Sequence, residues 1–343
     1  MKYLITGITG FAGSHLAEYL LNHVDDAEVY GSVRWRSHRG NLAGVANRVR
    51  LFECELRDAS SVRDLLELVK PDHIFHLAGH SFETSSWNCP GDTMVNNIVG
   101  VINLLEAARK SVPAARIMLA CSGEEYGKVS EDELPIREET PFRPLSPHGV
   151  SKLAQDFLGY QYYECYGMDI VRTRAFAHIG PRGGEALGVS ALARQIAEIE
   201  LGARVPVVYA GNLETRRDLT DVRDVVRGYW IALELGKPGE VYQICSGQAY
   251  TLRQVWDVLL SLTEAKIEIG AAPFPSKPSD TAVLLGSYQK FRRDTGWEPV
   301  IPLTRTLKDV LDYWRAALRH PKEAVSEERR SAENRDLSRL VPL

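Results

Sequence analysis

Apolar positions in the first half of the chain help mark short strand-like runs at residues 2–6, 28–33, 49–54, 73–77, 116–121 and 169–174. Runs of that length between helical stretches read as strands. Between them, residues 14–21, 61–69 and 93–109 read as helices. Strands alternating with helices predict an α/β fold built on a doubly wound parallel sheet, and ligands of such sheets bind at the carboxyl ends of the strands. After Arg174 glycine and proline become denser and the links longer; helical runs follow at 189–201 and up to Leu235, with a strand-like run at 241–244. This pattern predicts a first domain over 1–174 and a smaller interleaved α/β domain over 175–318, with part of 212–245 returning to the first. Residues 319–343 are charged and read as a solvated tail.

Composition changes this picture little. The chain has 343 residues, 44% hydrophobic and 25% charged, which is ordinary for a globular protein. A net charge of -4 gives no footprint for nucleic acid or an anionic membrane. The five cysteines (Cys54, Cys89, Cys121, Cys165, Cys245) form no close pair, which predicts buried reduced thiols and neither a disulfide framework nor a metal site. The first residues enter a strand without a signal-peptide pattern, and no apolar run approaches the roughly 18 residues of a membrane span, so a cytoplasmic protein is expected.

The informative residues fall at the predicted strand ends. Gly7-Ile8-Thr9-Gly10-Phe11-Ala12-Gly13 sits between strand and helix, the context in which glycines let the backbone approach a pyrophosphate on a helix N-terminus. After the second strand, where an acidic residue would select NAD, the chain offers Arg34-Trp35-Arg36-Ser37-His38-Arg39, which suits the 2'-phosphate of NADP. Glu55-Leu56, Ala78-Gly79-His80-Ser81 and Ser122-Gly123-Glu124-Glu125-Tyr126-Gly127 close the next strands. His148 and Lys152, four apart at the start of a helix-compatible run, fall on one face. Arg182, Arg217 and Lys277 are candidate cations for a substrate diphosphate.

These motifs, together with His76-Leu77-Ala78, Ser146-Pro147-x-Gly149-Val150-Ser151-Lys152, Gly211-Asn212-Leu213-Glu214 and Arg217-Asp218-Leu219-Thr220-Asp221-Val222-Arg223-Asp224, resemble the extended short-chain dehydrogenase/reductases that modify nucleotide sugars. Within them the likeness is to the GDP-mannose 4,6-dehydratases and the GDP-4-keto-6-deoxymannose reductases, and it spans residues 1–318. The resemblance implies a Rossmann fold, NADP as cofactor, a GDP-hexose as substrate and a homodimer or homotetramer. It implies that Ser122, Glu124, His148 and Lys152 carry the chemistry. Gly7, Thr9, Gly10, Phe11, Ala12, Gly13, Arg34, Arg36, Ser37, Glu55, Leu56, Leu77, Ala78, Gly79, Ser81, Lys152, His178 and Arg182 would hold the cofactor, and Ser81, Glu124, Ala177, Glu185, Arg217 and Lys277 the substrate. In a dehydratase Ser122 would bond the 4-oxygen, Glu124 would remove the C5 proton and Lys152 would hold the nicotinamide ribose; in a reductase Glu124 would be incidental.

The chain departs from the family most at His148, which stands where the family has its proton-transferring tyrosine. The imidazole is shorter than a phenol, and it ordinarily titrates near pH ~6.5 where a phenol titrates near ~10. Ala177 replaces an asparagine, Gly183 an arginine, Glu55 an aspartate and Lys277 an arginine. The expected activity is the 4,6-dehydration of GDP-mannose, with His148 or a water it positions as proton acceptor. The related reductase or epimerase, and a binding protein with little turnover, stay open.

Overall fold

The computed structural model describes residues 1–81, 83–184, 188–210, 212–271 and 283–319. Gly211, Glu185, Lys277 and the tail from residue 320 lie outside the described residues. The first half supplies β1 (Lys2–Thr6), α1 (Phe11–His23), β2 (Glu28–Val33), β3 (Val49–Glu53), α2 (Ala59–Val69), β4 (His73–His76), α3 (Glu83–Asn88), α4 (Pro90–Met94), α5 (Gly100–Ser111), β5 (Arg116–Ser122), α6 (Pro147–Tyr166) and β6 (Ile170–Ala175). The second half supplies β7 (His178–Ile179), α7 (Gly188–Glu200), β8 (Val207–Ala210), β9 (Arg216–Asp218), β10 (Thr220–Asp221), α8 (Val222–Leu235), β11 (Val241–Ile244), β12 (Ala249–Thr251), α9 (Leu252–Ser261), β13 (Glu268–Ala271), β14 (Val283–Leu284), α10 (Gln289–Thr295) and α11 (Leu303–Arg319).

Seven strands form one parallel sheet in the order β3-β2-β1-β4-β5-β6-β11. Successive side chains of a strand point to opposite faces, so Leu4 joins Ile74, Ile117, Leu66 and Leu105 under α2 and α5, while Ile5 joins Leu16, Leu20, Val225 and Tyr229 under α1 and α8. Each such fully buried aliphatic side chain stabilises the fold by roughly 1.5–3 kcal/mol. The chain does return to this sheet late: α8 covers it and β11 forms its edge beside β6. Phe291 of α10 and Trp297 join the same core, a return the sequence pattern did not signal. A separate core lies between α7, α9 and α11, around Val189, Ile196, Trp256 and Leu311.

Two helices differ from expectation for local reasons. The predicted 93–109 helix is α4, a π-helical turn over Val95–Val99 and α5, and the turn buries Asn97 fully. Helix α6 starts where Ser146 accepts the Gly149 N–H at 3.0 Å and Pro147 occupies the first turn; it stops at Gly167, whose φ of 65° is left-handed. Helix α11 extends through Arg319, one residue into the expected tail. All five cysteines are free, but Cys89 and Cys165 are exposed rather than buried; both stand outside the two main cores. Among the described residues no helix is long and apolar enough to cross a membrane.

Candidate active site

The glycine loop after β1 is shaped by contacts that leave no room for side chains. Gly7 has φ +73°, and a Cβ there would lie 2.9 Å from the Ala78 backbone; at Gly13 it would lie 2.3 Å from the Gly7 carbonyl oxygen. Gly10 N–H donates to Gly7 O at 2.9 Å, and Gly10 caps α1 without any side-chain acceptor, so the first-turn N–H groups stay available to an anion. This cradle fits the pyrophosphate of a dinucleotide. Thr9, Phe11 and Ala12 complete it: Asn41 donates to Thr9 O at 3.1 Å, Phe11 stacks on His178 at 5.8 Å, and Ala12 packs on the core.

Beside it, residues 34–37 and 53–55 line a cavity of about 360 Å³. Arg34 and Ser37 close a turn, Ser37 N–H donating to Arg34 O at 2.9 Å and Ser37 Oγ accepting from Arg34 N–H at 3.0 Å, and the Arg36 guanidinium lies 4.2 Å from the Trp35 ring centre. Trp35 is 70% exposed. The Glu55 carboxylate forms a two-pronged pair with Arg57, at 3.0 and 2.9 Å. Leu56 packs near Gly100, and its carbonyl accepts from Asn103 at 2.8 Å. Leu77 and Ala78 follow β4, with Ala78 N–H donating to Thr6 Oγ1 at 3.2 Å. The Arg182 guanidinium is held by both Glu18 oxygens of α1 at 2.7 and 2.6 Å. Arg36 and Arg182 both adopt φ near +67°, a region that costs an L-residue roughly 1–2 kcal/mol.

Ser122, Glu124, His148 and Lys152 come together where β5 ends against the first turns of α6. Ser122 caps the short 3-10 turn Gly123–Glu125, its hydroxyl accepting from Glu124 N–H at 3.1 Å. That turn presses on α6 so closely that a Cβ at Gly149 would lie 2.7 Å from Glu124 O. Glu124 Oε2 lies 3.0 Å from His148 Nδ1 and accepts from Ser146 Oγ at 3.3 Å. Burial alone would raise the Glu124 carboxyl. His148's hydrogen bond and charge, then Ser146 and Arg217, outweigh it and hold the group below its ordinary value. With a carboxylate at Nδ1, the histidine donates from that nitrogen. His148 Nε2 is buried without a hydrogen-bond partner. The side chain is 6% exposed, against 38% for Glu124. The shorter ring is thus paired with Glu124 through Nδ1, and its Nε2 is buried.

Lys152 Nζ donates to Ala120 O at 2.7 Å and Gln155 Oε1 at 3.1 Å, and burial pulls it below its ordinary value against the pull of Cys121 and Glu125. A Cβ on Gly79 would stand 3.8 Å from that nitrogen. His76, buried beneath and bonded to Thr6 Oγ1 at 2.9 Å, is pushed down to about 3 by burial and by the Lys152 charge, and so is neutral. Ser81 and Ala177 are exposed, and Ala177 O accepts from Thr220 N–H at 3.0 Å. Arg217 lies close enough for its charge to act on Glu124.

Sequence reasoning missed the residues that lock this arrangement. Asn97 accepts from His80 N–H at 2.7 Å and donates to Ser151 Oγ at 2.9 Å, and Ser151 in turn donates to His148 O at 2.7 Å. The adjacent Asn96 and Asn97 among the valines and isoleucine of residues 95–101 were its visible signal. Below Lys152 on α6, Asp156 binds Arg172 at 2.5 Å and Arg174 at 2.9 Å, and Glu125 lies 3.4 Å from Arg174. Cys121, Glu125 and Asp156 approach within 4.8 Å of one another, but both Asp156 oxygens are spent on these arginines.

A family model for GDP-mannose 4,6 dehydratase matches residues 4–310. The chain is 31% identical over 318 residues to the GDP-6-deoxy-D-mannose reductase of Pseudomonas aeruginosa, covering 93% of this chain and 98% of that one. It is 31% identical over 353 residues to the GDP-mannose 4,6-dehydratase of Yersinia enterocolitica, covering 90% and 92%. The solved structure of RMD from Pseudomonas aeruginosa complexed with NADPH is similar with a TM-score of 0.80 at 29% identity, covering 92% of this chain and 99% of that chain. A match running from the first strand into α11 makes this chain a member of the GDP-mannose 4,6-dehydratase family of nucleotide-sugar enzymes, within the extended short-chain dehydrogenase/reductases.

Proposed function

We propose that the chain is an NADPH-dependent reductase of the C4 carbonyl in a GDP-linked 4-keto-6-deoxyhexose. The observation that carries this reading is the pair of donors on Glu124 Oε2, His148 Nδ1 and Ser146 Oγ. A dehydratase must move one proton at the 4-oxygen and a second at C5, so it needs a carboxylate free of the first task. Here carboxylate and imidazole form one unit, and one unit serves one proton. Reduction needs only one. The relative named as a GDP-6-deoxy-D-mannose reductase, matched over nearly its whole length, and the NADPH complex of RMD support the same choice.

Bound NADPH supplies the hydride. The cradle of Gly7, Gly10 and Gly13 would hold its pyrophosphate, Arg34, Arg36 and Ser37 its 2'-phosphate, and Lys152 its nicotinamide ribose. Ser122 would orient the carbonyl oxygen by donating its hydroxyl proton, and Arg217 would face the substrate diphosphate. The five free cysteines fit a reducing compartment, the cytoplasm. Purified protein is expected to oxidise NADPH, and NADH at least about tenfold more slowly, only when a GDP-4-keto-6-deoxyhexose is present. Formation of a 4-keto product from GDP-mannose without added NADPH would instead establish the dehydratase.

We further propose a homodimer through α6 and the π-helical turn, where Val95, Val99, Val150, Phe157 and Tyr160 are exposed at 38–52%. Sedimentation should give twice the chain mass, and Phe157→Glu should give monomers. A monomeric wild-type protein contradicts this assignment.

A further inference from the structure

We infer that Glu124 has taken over the proton transfer that a tyrosine performs in the family, and that His148 is a positioning residue behind it. The inference rests on the reductase reading for its reaction, and on geometry for its assignment. Among the described groups, the Glu124–His148 pair has one end open to solvent. The Glu124 side chain is 38% exposed, and its Oε1 has no protein hydrogen bond among the described residues. His148 is 6% exposed, with Nδ1 spent on Glu124 and Nε2 sealed without a partner. An imidazolium would place an N–H on that sealed nitrogen with no acceptor, which a buried donor resists. The proton shared with the carboxylate therefore lies on Nδ1, and the ring's function is to hold one carboxylate oxygen so that the other faces the crevice.

The proton balance is simple. In reduction the C4–O π bond breaks as hydride adds to C4, and the oxygen takes one proton from Glu124 Oε1. The carboxylate left behind is met by His148 Nδ1–H, Ser146 Oγ–H and the Arg217 charge, the groups that face it from α6 and β9. Solvent returns the proton. The same three groups favour the ionised carboxyl, so the proton is loaded only on the acid side. The reductive rate should therefore fall as pH rises above the ordinary carboxyl range, approaching about tenfold per unit.

The test uses the NADPH-loaded full chain. Glu124→Gln is expected to lower kcat about a thousandfold with KM within about threefold, in the range of a lost general acid. His148→Asn keeps an N–H for the carboxylate and should stay within about tenfold of wild type. His148→Phe removes that donor and should move the falling limb of the pH profile to higher pH, a change that a purely structural role would not produce. Independently of turnover, 15N resonances of the labelled histidine should show a protonated Nδ1 and a bare Nε2 that GDP-sugar leaves unperturbed. A perturbed Nε2, or a Glu124→Gln variant that retains its rate while His148→Asn loses it, overturns the inference. If the wild type reduces no 4-keto sugar, the reductase reading fails, and the nitrogen signature still decides the assignment.

Discussion

Asp156→Ala is expected to destabilise the protein by roughly 3–5 kcal/mol, the range for removing one partner of a buried charged network. Asp156 is 1% exposed, and its two oxygens hold Arg172 at 2.5 Å and Arg174 at 2.9 Å. Both guanidiniums lie on β6 and are nearly sealed from water; Arg172 also donates to Gly239 O at 2.7 Å and Arg174 to the Tyr126 hydroxyl at 2.7 Å. Burial opposes the Arg174 charge, and Asp156 with Tyr126 and Glu125 overrides it and drives that pKa further up. Alanine would leave two cations facing one another in a site water cannot enter. The nearby acid cannot substitute cleanly: burial and then Asp156 push Glu125 well above its ordinary value, and its Oε1 is already taken by Ser122 N–H at 2.7 Å. Because Glu125 lies in the turn that carries Glu124, the loss should also loosen the site. Chemical denaturation measures the effect. A change below about 1 kcal/mol would show that the network contributes only local order.

How much of this was legible beforehand follows the range of the interactions. The parallel sheet was readable because short strand-like runs alternate with helical ones, and the glycine loop because strand, turn and helix are adjacent in sequence. The neighbourhood of the strand end was readable in part: Glu124 bonds both Ser122 and His148, and Lys152 follows one turn along α6. What was not readable was the direction of each side chain. Nothing in the local sequence of Arg182 announces that Glu18, 164 positions away, holds it. The capture of His148 by Glu124 across 24 positions likewise depends on how tightly α6 meets the 3-10 turn, a distance set by Gly149. The late return of α10 to the first core was hidden for the same reason, since Phe291 and Trp297 look alike on any apolar surface. Short-range pattern therefore located the site, and long-range pairing assigned the work within it.

Gly13→Ala is expected to weaken NADPH binding by about a hundredfold, because the added methyl meets backbone rather than side chain and overpacking of that kind costs roughly 1–3 kcal/mol. Its Cβ would stand 2.3 Å from Gly7 O and 2.9 Å from Ile8 Cα, and neither atom can turn aside. Relief requires α1 to move away from β1, which pulls the first-turn N–H groups out of the cradle. Gly10→Ala is the informative comparison. There the nearest protein atom, Gly7 O, is 3.1 Å away, and Gly10 has φ -71°, which alanine adopts freely. Its loss should be smaller, below about tenfold, if protein packing limits the loop. Titration of NADPH fluorescence against the two variants separates the causes. Should Gly10→Ala prove the more damaging, the constraint on this loop is the approach of the pyrophosphate itself, and the cradle would have to be described by what it binds rather than by how α1 seats on β1.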